Sequence, residues 1–271
     1  MNKPFILENM ILNYHWGAVN EQAFIPILTG RPVEPYLPYA ELWMGSHPKA
    51  PSVICLHDRK IPLDKAVRQH PLTFLGQTCT AQFGPSLPFL FKVLSVSKPL
   101  SIQVHPDKTQ ARMLHQKQPD HYPDENHKPE MAIALDGLTA LAGFRSSDEI
   151  RTILDTMPEI ADPMPSSRAD SDSNYLRSCI ESLLTLSADS PELLTKMIQS
   201  IEKRLRNQSR ELSDHEQLFL GLRETYTGPD PGLVLLFFLN WIHLKPNQAV
   251  FLPAGMPHAY IRGNLLECMA N

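Results

Sequence analysis

Leu100-Ser-Ile-Gln-Val-His105 alternates apolar and polar residues without a break. A period of two is the mark of a β-strand with one apolar and one polar face. Leu100, Ile102 and Val104 are expected on one side, and Ser101, Gln103 and His105 on the other. Side chains two residues apart on a strand stand about 6–7 Å apart on one face, which suits two ligands of one metal ion. A half-exposed antiparallel strand with its polar side to water would carry the same pattern. The flanks favour an inward polar face. Phe89–Val96 and Met131–Leu135 both read as buried strands, so the polar side between them is expected to face the inside of a barrel.

Working outward, Asn126-His-Lys-Pro-Glu130 is a dense polar cluster just before the second of those strands. A solvated loop would read the same way. At the mouth of a barrel, Glu130 would bring a carboxylate to Gln103 and His105, and His127 and Lys128 would supply proton-transfer groups. Further on, Pro246-Asn-Gln-Ala-Val-Phe-Leu-Pro-Ala-Gly-Met-Pro-His258 runs from a tight turn into a short apolar strand. A Pro253-x-Gly255 corner then presents His258. This pattern resembles the second sequence motif of cupins, small β-barrels that hold a metal on inward His and Glu residues. Gln103, His105, Glu130 and His258 together offer two imidazoles, one carboxylate and one amide oxygen. That mixed set suits Zn²⁺, with Fe²⁺, Mn²⁺ or Co²⁺ as possible substitutes, and its single formal negative charge leaves a bound ion a strong Lewis acid.

The rest of the chain bounds the reading. Its 271 residues carry 42% hydrophobic residues, enough for a substantial core, and 25 Lys+Arg against 29 Asp+Glu leave no basic excess for nucleic acid. Leu233–Leu239 is the longest unbroken apolar run, far too short to span a bilayer. Met-Asn-Lys-Pro at the start lacks the apolar stretch of a signal peptide, and Cys55, Cys79, Cys179 and Cys268 are scattered singly. A cytoplasmic protein with reduced thiols, no nucleic-acid partner and no membrane partner is expected. Prolines outnumber glycines, 25 to 12, and many sit between short apolar runs, as in strands joined by rigid corners.

Val53–Leu56 and Leu138–Phe144 also read as strands, with Thr109–Gln116 a short helix after the Pro106 corner. From about Ser146 to Gly232 the period becomes helical. Leu193, Met197, Ile201 and Leu205 form a stripe with Leu194 and Ile198 beside it, and Ser190-Pro191-Glu192 supplies a start signal. Ser213 with Glu216 forms a capping box, and the Ser/Asp-rich Ser166–Asn174 reads as a loop. Strand texture returns at Val234–Leu239, Trp241–Leu244 and Ala249–Leu252. The expected organisation is a β domain, 1–145 and 233–271, interrupted by a helical insertion at 146–232.

Five blocks of this sequence closely resemble type I phosphomannose isomerases (mannose-6-phosphate isomerases), in that family's order. They are Asn13-Tyr-His-Trp-Gly17, Pro38–Ser52 (PYAELWMGSHPKAPS), Leu87–Lys108 (LPFLFKVLSVSKPLSIQVHPDK), Asn126–Glu130, and Phe251–Asn271 (FLPAGMPHAYIRGNLLECMAN). The resemblance implies a mixed α and β chain. Its catalytic domain would be a cupin-type antiparallel β-barrel (jelly-roll) with a helical insertion. It implies one zinc per chain on Gln103, His105, Glu130 and His258. It implies a monomeric isomerase of carbohydrate metabolism, on the route to GDP-mannose, that interconverts mannose 6-phosphate and fructose 6-phosphate. The family's substrate-site positions fall on Ser101, Lys92, Lys128, Tyr260 and Glu267, with His127 a further proton-transfer candidate. Such a reaction opens the sugar ring and moves a proton between C2 and C1 through an enediol. It therefore needs a positioned base and something to hold the developing oxyanion.

The family's pattern runs on into an Asp- and Arg-bearing segment and a second cupin-like lobe. Neither is in this sequence, so a fragment and a naturally short form both stay open, and impaired turnover is an expectation. A non-catalytic sugar-phosphate- or metal-binding cupin module is the alternative function. A mononuclear iron oxygenase on two histidines and a carboxylate is a third reading.

Overall fold

The computed structural model describes residues 4–56, 58–122, 124–165 and 172–270. Met1–Lys3, on which the signal-peptide reading partly rests, and residues 166–171 of the expected Ser166–Asn174 loop lie outside the described residues. From Asp172 the chain is helical through Asp189, so the last three residues of that expected loop are helix.

Ten strands form among the described residues: β1 Met10–Leu12, β2 Glu41–Met44, β3 Val53–Leu56, β4 Arg59–Pro62, β5 Phe89–Val96, β6 Glu130–Ala134, β7 Leu138–Phe144, β8 Leu239–Leu244, β9 Ala249–Leu252 and β10 His258–Ala270. The main sheet runs β1-β2-β5-β10-β6-β9, with β7 pairing β10 and β8, and β3–β4 is a separate hairpin. The characterised pairs are antiparallel. The strand path does not close into a complete barrel among the described residues. β10 is the longest strand and carries Gly263 within it. Its φ of +131° and the Gly137 carbonyl oxygen 2.4 Å from where a Cβ would sit leave room only for glycine.

Each face of the sheet has its own packing. Leu42, Val93 and Leu266 pack with Ala23, Ile25 and Tyr39 on one face. Trp43, Leu90 and Met269 cluster on the other. Two residues along the same strands, and so on that second face, stand Glu41, Lys92 and Glu267.

The chain divides into two compact units, Met1–Ala140 with Ile242–Asn271, and Leu141–Trp241. The second is built on helices at Ser147–Thr156, Asp172–Asp189, Pro191–Arg206 and Asp214–Arg223. The Ser213–Glu216 capping box is present, with both reciprocal bonds made. In Pro191–Arg206 the proline sits at the helix start, but Ser190 makes no side-chain cap. The buried stripe there is Leu194, Met197, Ile198, Ile201 and Leu205, while Leu193 is exposed.

Two local expectations are corrected. Val234–Leu239 is not a strand: Gly232–Leu235 is helical, Leu236–Phe238 is a 3₁₀ turn, and β8 starts at Leu239. The Asp230 carboxylate accepts the Gly232 N–H (2.8 Å) and winds the chain into that helix. Every residue from Leu233 to Leu239 except Leu235 is buried, so the apolar run carried no period to tell strand from helix. The region before residue 145 is also richer in helix than expected, with short helices at Phe24–Thr29, Leu63–Gln69, Pro71–Phe74 and Gly76–Phe83. The helix after Pro106 is present as Lys108–Lys117, capped by Asp107 and Gln110. No helix of the described residues is long and apolar enough to cross a membrane.

Candidate metal centre and the buried charges beside it

Leu100–His105 is extended but is not a regular strand. Its Leu100 N–H donates to the Tyr260 carbonyl (2.9 Å), while Gln103 exchanges backbone bonds with His258 (2.8 and 2.9 Å). In an antiparallel ladder the partner of His258 after a 100–260 bond would be residue 102, so one extra residue is accommodated on this side, as in a bulge. Leu100 and Ile102 are half-buried, while Val104 is exposed. A third bond, from the Gly255 N–H to the His105 carbonyl (2.8 Å), ties His105 to the corner that precedes His258. These three contacts bring two histidines, far apart in sequence, to a ring separation of 5.3 Å.

Glu130 opens β6 opposite Met269 and Leu252, which aims its carboxylate at the same place. Its two oxygens lie 3.1 Å from His105 Nε2 and 3.2 Å from His258 Nε2. One ligand atom from each of His105, Glu130 and His258 falls within 4.8 Å of the others, a group able to hold a metal ion. Two features of the donors fit such an ion. His258 Nδ1 faces the Met256 carbonyl at 2.9 Å, and a carbonyl can only accept, so Nδ1 carries the proton and Nε2 is left for the centre. His105 Nε2 is buried and, despite its nearness to Glu130, makes no hydrogen bond of acceptable angle among the described residues. Buried polar atoms are rarely left so, and a divalent cation would satisfy this one.

The charges here are strongly perturbed. Burial alone would raise the Glu130 carboxyl, but the His105 and His258 rings outweigh it and hold the acid well below its ordinary range. Burial would lower His258, and its contact with Glu130 reverses that, leaving it raised. Lys128 Nζ lies 3.9 Å from Glu130, and the exposed His127 shares with Lys128, His47 and His105 the wall of a cavity of about 320 Å³. A larger cavity, about 590 Å³, is lined by Gly263, Asp136, His243 and Arg262, but none of the His–Glu–His group lines it. Size does not locate the chemistry.

Beside this group lies a second cluster. Lys92, in the central strand β5, is buried with its Nζ 3.4 Å from Glu267 and 3.5 Å from Glu41. Tyr260 and Glu267 both lie on β10, and the Tyr260 hydroxyl donates to Glu267 (3.1 Å). Burial and then the Glu130 charge push Glu267 up, opposed by Lys92. Burial works against the Lys92 ammonium, yet Glu267 and Glu41 outweigh it and hold its value above the ordinary one. Burial and Glu267 keep the Tyr260 phenol protonated well past its usual range.

The expected residues therefore divide. His105, Glu130 and His258 come together, and Lys92, Glu267 and Tyr260 come together. Gln103 joins His258 through its backbone. Ser101 is exposed, with no described partner for its hydroxyl. Three residues without an assigned role also belong here. Glu41 accepts the Trp43 indole N–H, and the Trp43 ring lies 4.9 Å from Lys92 Nζ and stacks edge-on with His47. Burial, then Lys49 and Lys92, lower His47 and favour its neutral ring. The one local signal was the i, i+2 spacing of Glu41 and Trp43, which puts a charge and an indole on one strand face.

Residues 5–147 match the family described as phosphomannose isomerase type I, catalytic domain. The chain is 39% identical to a probable mannose-6-phosphate isomerase of Echinococcus multilocularis, over 95% of this chain and 65% of that protein. It is 37% identical to mannose-6-phosphate isomerase 2 of Arabidopsis thaliana, over 97% of this chain and 64% of that one. The chain thus spans a little under two thirds of the length of these relatives. Among solved structures, a mannose 6-phosphate isomerase bound with zinc and yttrium superposes with a TM-score of 0.82 at 31% identity, covering 98% of this chain and 67% of that one.

Proposed function

The chain belongs to the family of type I phosphomannose isomerases, and from that premise we propose that it interconverts mannose 6-phosphate and fructose 6-phosphate through an enediol. The observation that supports this best is the adjacency of two unlike clusters. One is a buried His–Glu–His group with an orphaned imidazole nitrogen, and the other is a buried lysine between two carboxylates.

In this reading His105, Glu130 and His258, with Gln103 as the fourth donor, hold one zinc ion. When bound, that ion supplies a Lewis acid beside the sugar oxygens. The remaining work falls to side chains. Lys92 and Lys128 are cations that can hold a developing oxyanion, and each is worth more in a site from which water is excluded. Glu267, whose carboxyl burial and the Glu130 charge push up, can accept and return a proton more readily than a normal carboxyl. His127, exposed at the cavity wall, is the second carrier, for ring opening or for transfer between C2 and C1. Ser101 and Tyr260 orient the substrate by hydrogen bonds. Residues 146–232 are a helical insertion in a catalytic domain formed by 1–145 and 233–271.

The test is a coupled assay for fructose 6-phosphate on the zinc-loaded chain, run beside solvent deuterium incorporation at C1 and C2. Turnover with deuterium wash-in is expected, because the enediol exchanges its carbon-bound proton. Zinc-loaded protein that binds mannose 6-phosphate without forming product would overturn the reading in favour of a binding module.

A further inference from the structure

We propose that Glu41 is a positioning residue for Lys92, the lysine to which the isomerase reading gives a part in turnover. Lys92 projects from the middle strand of three: β10 on one side places Glu267 opposite it, and β2 on the other places Trp43 opposite it. The ammonium therefore lies between two carboxylates carried on different strands, at 3.4 Å and 3.5 Å. The Glu41 oxygen that faces Lys92, Oε2, is also the oxygen that accepts the Trp43 indole N–H. That bond restrains the acid, while the face of the Trp43 ring lies 4.9 Å from the ammonium and attracts it.

A lysine paired with one acid collapses onto it, and its long stem lets it follow. Held between two acids on opposing strands, it stays centred, with a third donor direction left for a substrate oxygen. Lys92 and Glu41 have side chains only 10% exposed, so water does not substitute for either partner. Glu41 needs no contact with substrate to do this.

The inference concerns the state of Lys92, so the deciding measurement is independent of turnover. Correlation spectra of the lysine ¹⁵N ammonium groups, on the full chain, should contain one resonance protected from hydrogen exchange that disappears in Lys92→Met. In Glu41→Gln that resonance should shift and exchange faster by about tenfold or more. Trp43→Phe, which deletes the bond that fixes Glu41, should do the same to a smaller extent and serves if Glu41→Gln does not fold. Kinetically, Glu41→Gln should lower kcat by about 30-fold with KM within about threefold. Added to Lys92→Met it should change turnover by less than about twofold, because the residue it positions is gone. An unchanged or unprotected Lys92 resonance overturns the inference, as does a full additive loss in the double variant. If the zinc-loaded wild type shows no turnover, the isomerase reading fails, and the ammonium spectrum still decides the role of Glu41.

Discussion

Two groups of enclosed carboxylates, one in each unit of this molecule, are surrounded in different ways. In the helical unit, Glu216 receives both terminal nitrogens of Arg210 at 2.6 and 2.8 Å and also closes the Ser213 capping box. Glu202 meets Arg206 and Arg223 at 2.9 Å each, and Glu159 meets Arg204 at 2.8 Å. Each acid is matched by an arginine of the same unit, although only Arg206 shares a helix with its acid, Glu202. In the β unit, Glu41, Glu130 and Glu267 crowd one sheet face with a single buried lysine, Lys92, among them. Charges that only hold a fold are neutralised locally. Charges left in excess in an interior mark a place kept for something that arrives from outside.

The sharpest way to break that contrast is to remove one acid from each side. Glu130→Ala should cut zinc affinity by about a thousandfold, roughly 4 kcal/mol, and abolish turnover with it. Glu159→Ala should leave zinc content untouched and register only in stability. Metal analysis of the two purified variants decides it. Equal zinc in both would mean that the crowded face is not where a metal is held.

Lys92→Met probes the same face from the cationic side. It leaves Glu41 and Glu267 buried together, and breaking a buried pair in this way typically costs about 3–5 kcal/mol. The sign with pH is fixed by Glu267, whose folded value already lies above its ordinary one through burial and the Glu130 charge, with Lys92 opposing. Removing Lys92 raises it further. In that window the folded state binds more protons than the unfolded state, so stability falls as pH rises. The variant should therefore be close to wild type near pH 5 and much weaker near pH 8 in urea unfolding. A penalty that does not change with pH would mean that Glu267 is not the acid Lys92 compensates.

How much of this was legible depended on distance along the chain. Gln103 and His105 could be chosen from their spacing alone, because a period of two puts them on one face whether or not a ladder forms. The ladder itself did not form, since the bonds that fix this segment come from Leu100, Gln103 and Gly255, none visible locally. Ser213 and its partner Glu216 were readable because a capping box is complete within four residues, whereas the Asp107–Gln110 box emerged only with the structure. Val234–Leu239 was misread because uniform burial erases the period. Glu41 and Trp43 acquire meaning only when β2 pairs with β5, about fifty residues away in sequence. No local pattern shows that a lysine will lie between them.

The smallest effect should come from the helical unit. Glutamine can serve in a capping box as glutamate does, so Glu216→Gln keeps the cap and removes only the charge that Arg210 meets. The Arg210 hydrogen bonds, with help from Ser213 and against a smaller opposing effect of burial, bring the Glu216 pKa down to about 2. A folded pKa below the unfolded one contributes stability that is complete above the ordinary carboxylate range. That contribution is lost as pH falls from there towards about 2. Arg210 is half exposed, with 51% of its side chain open to solvent, so screening reduces the full linkage value to about 1 kcal/mol at neutral pH. Urea unfolding should therefore separate Glu216→Gln from wild type by about 1 kcal/mol at pH 7 and draw the two together as pH approaches 2. Added salt should shrink the gap at pH 7 as well, because the exposed partner is screened. Zinc content and turnover should not move. A Glu216→Gln variant that lost zinc would end the contrast between the two units, since a charge matched by an arginine six residues away would then be acting on the crowded sheet face.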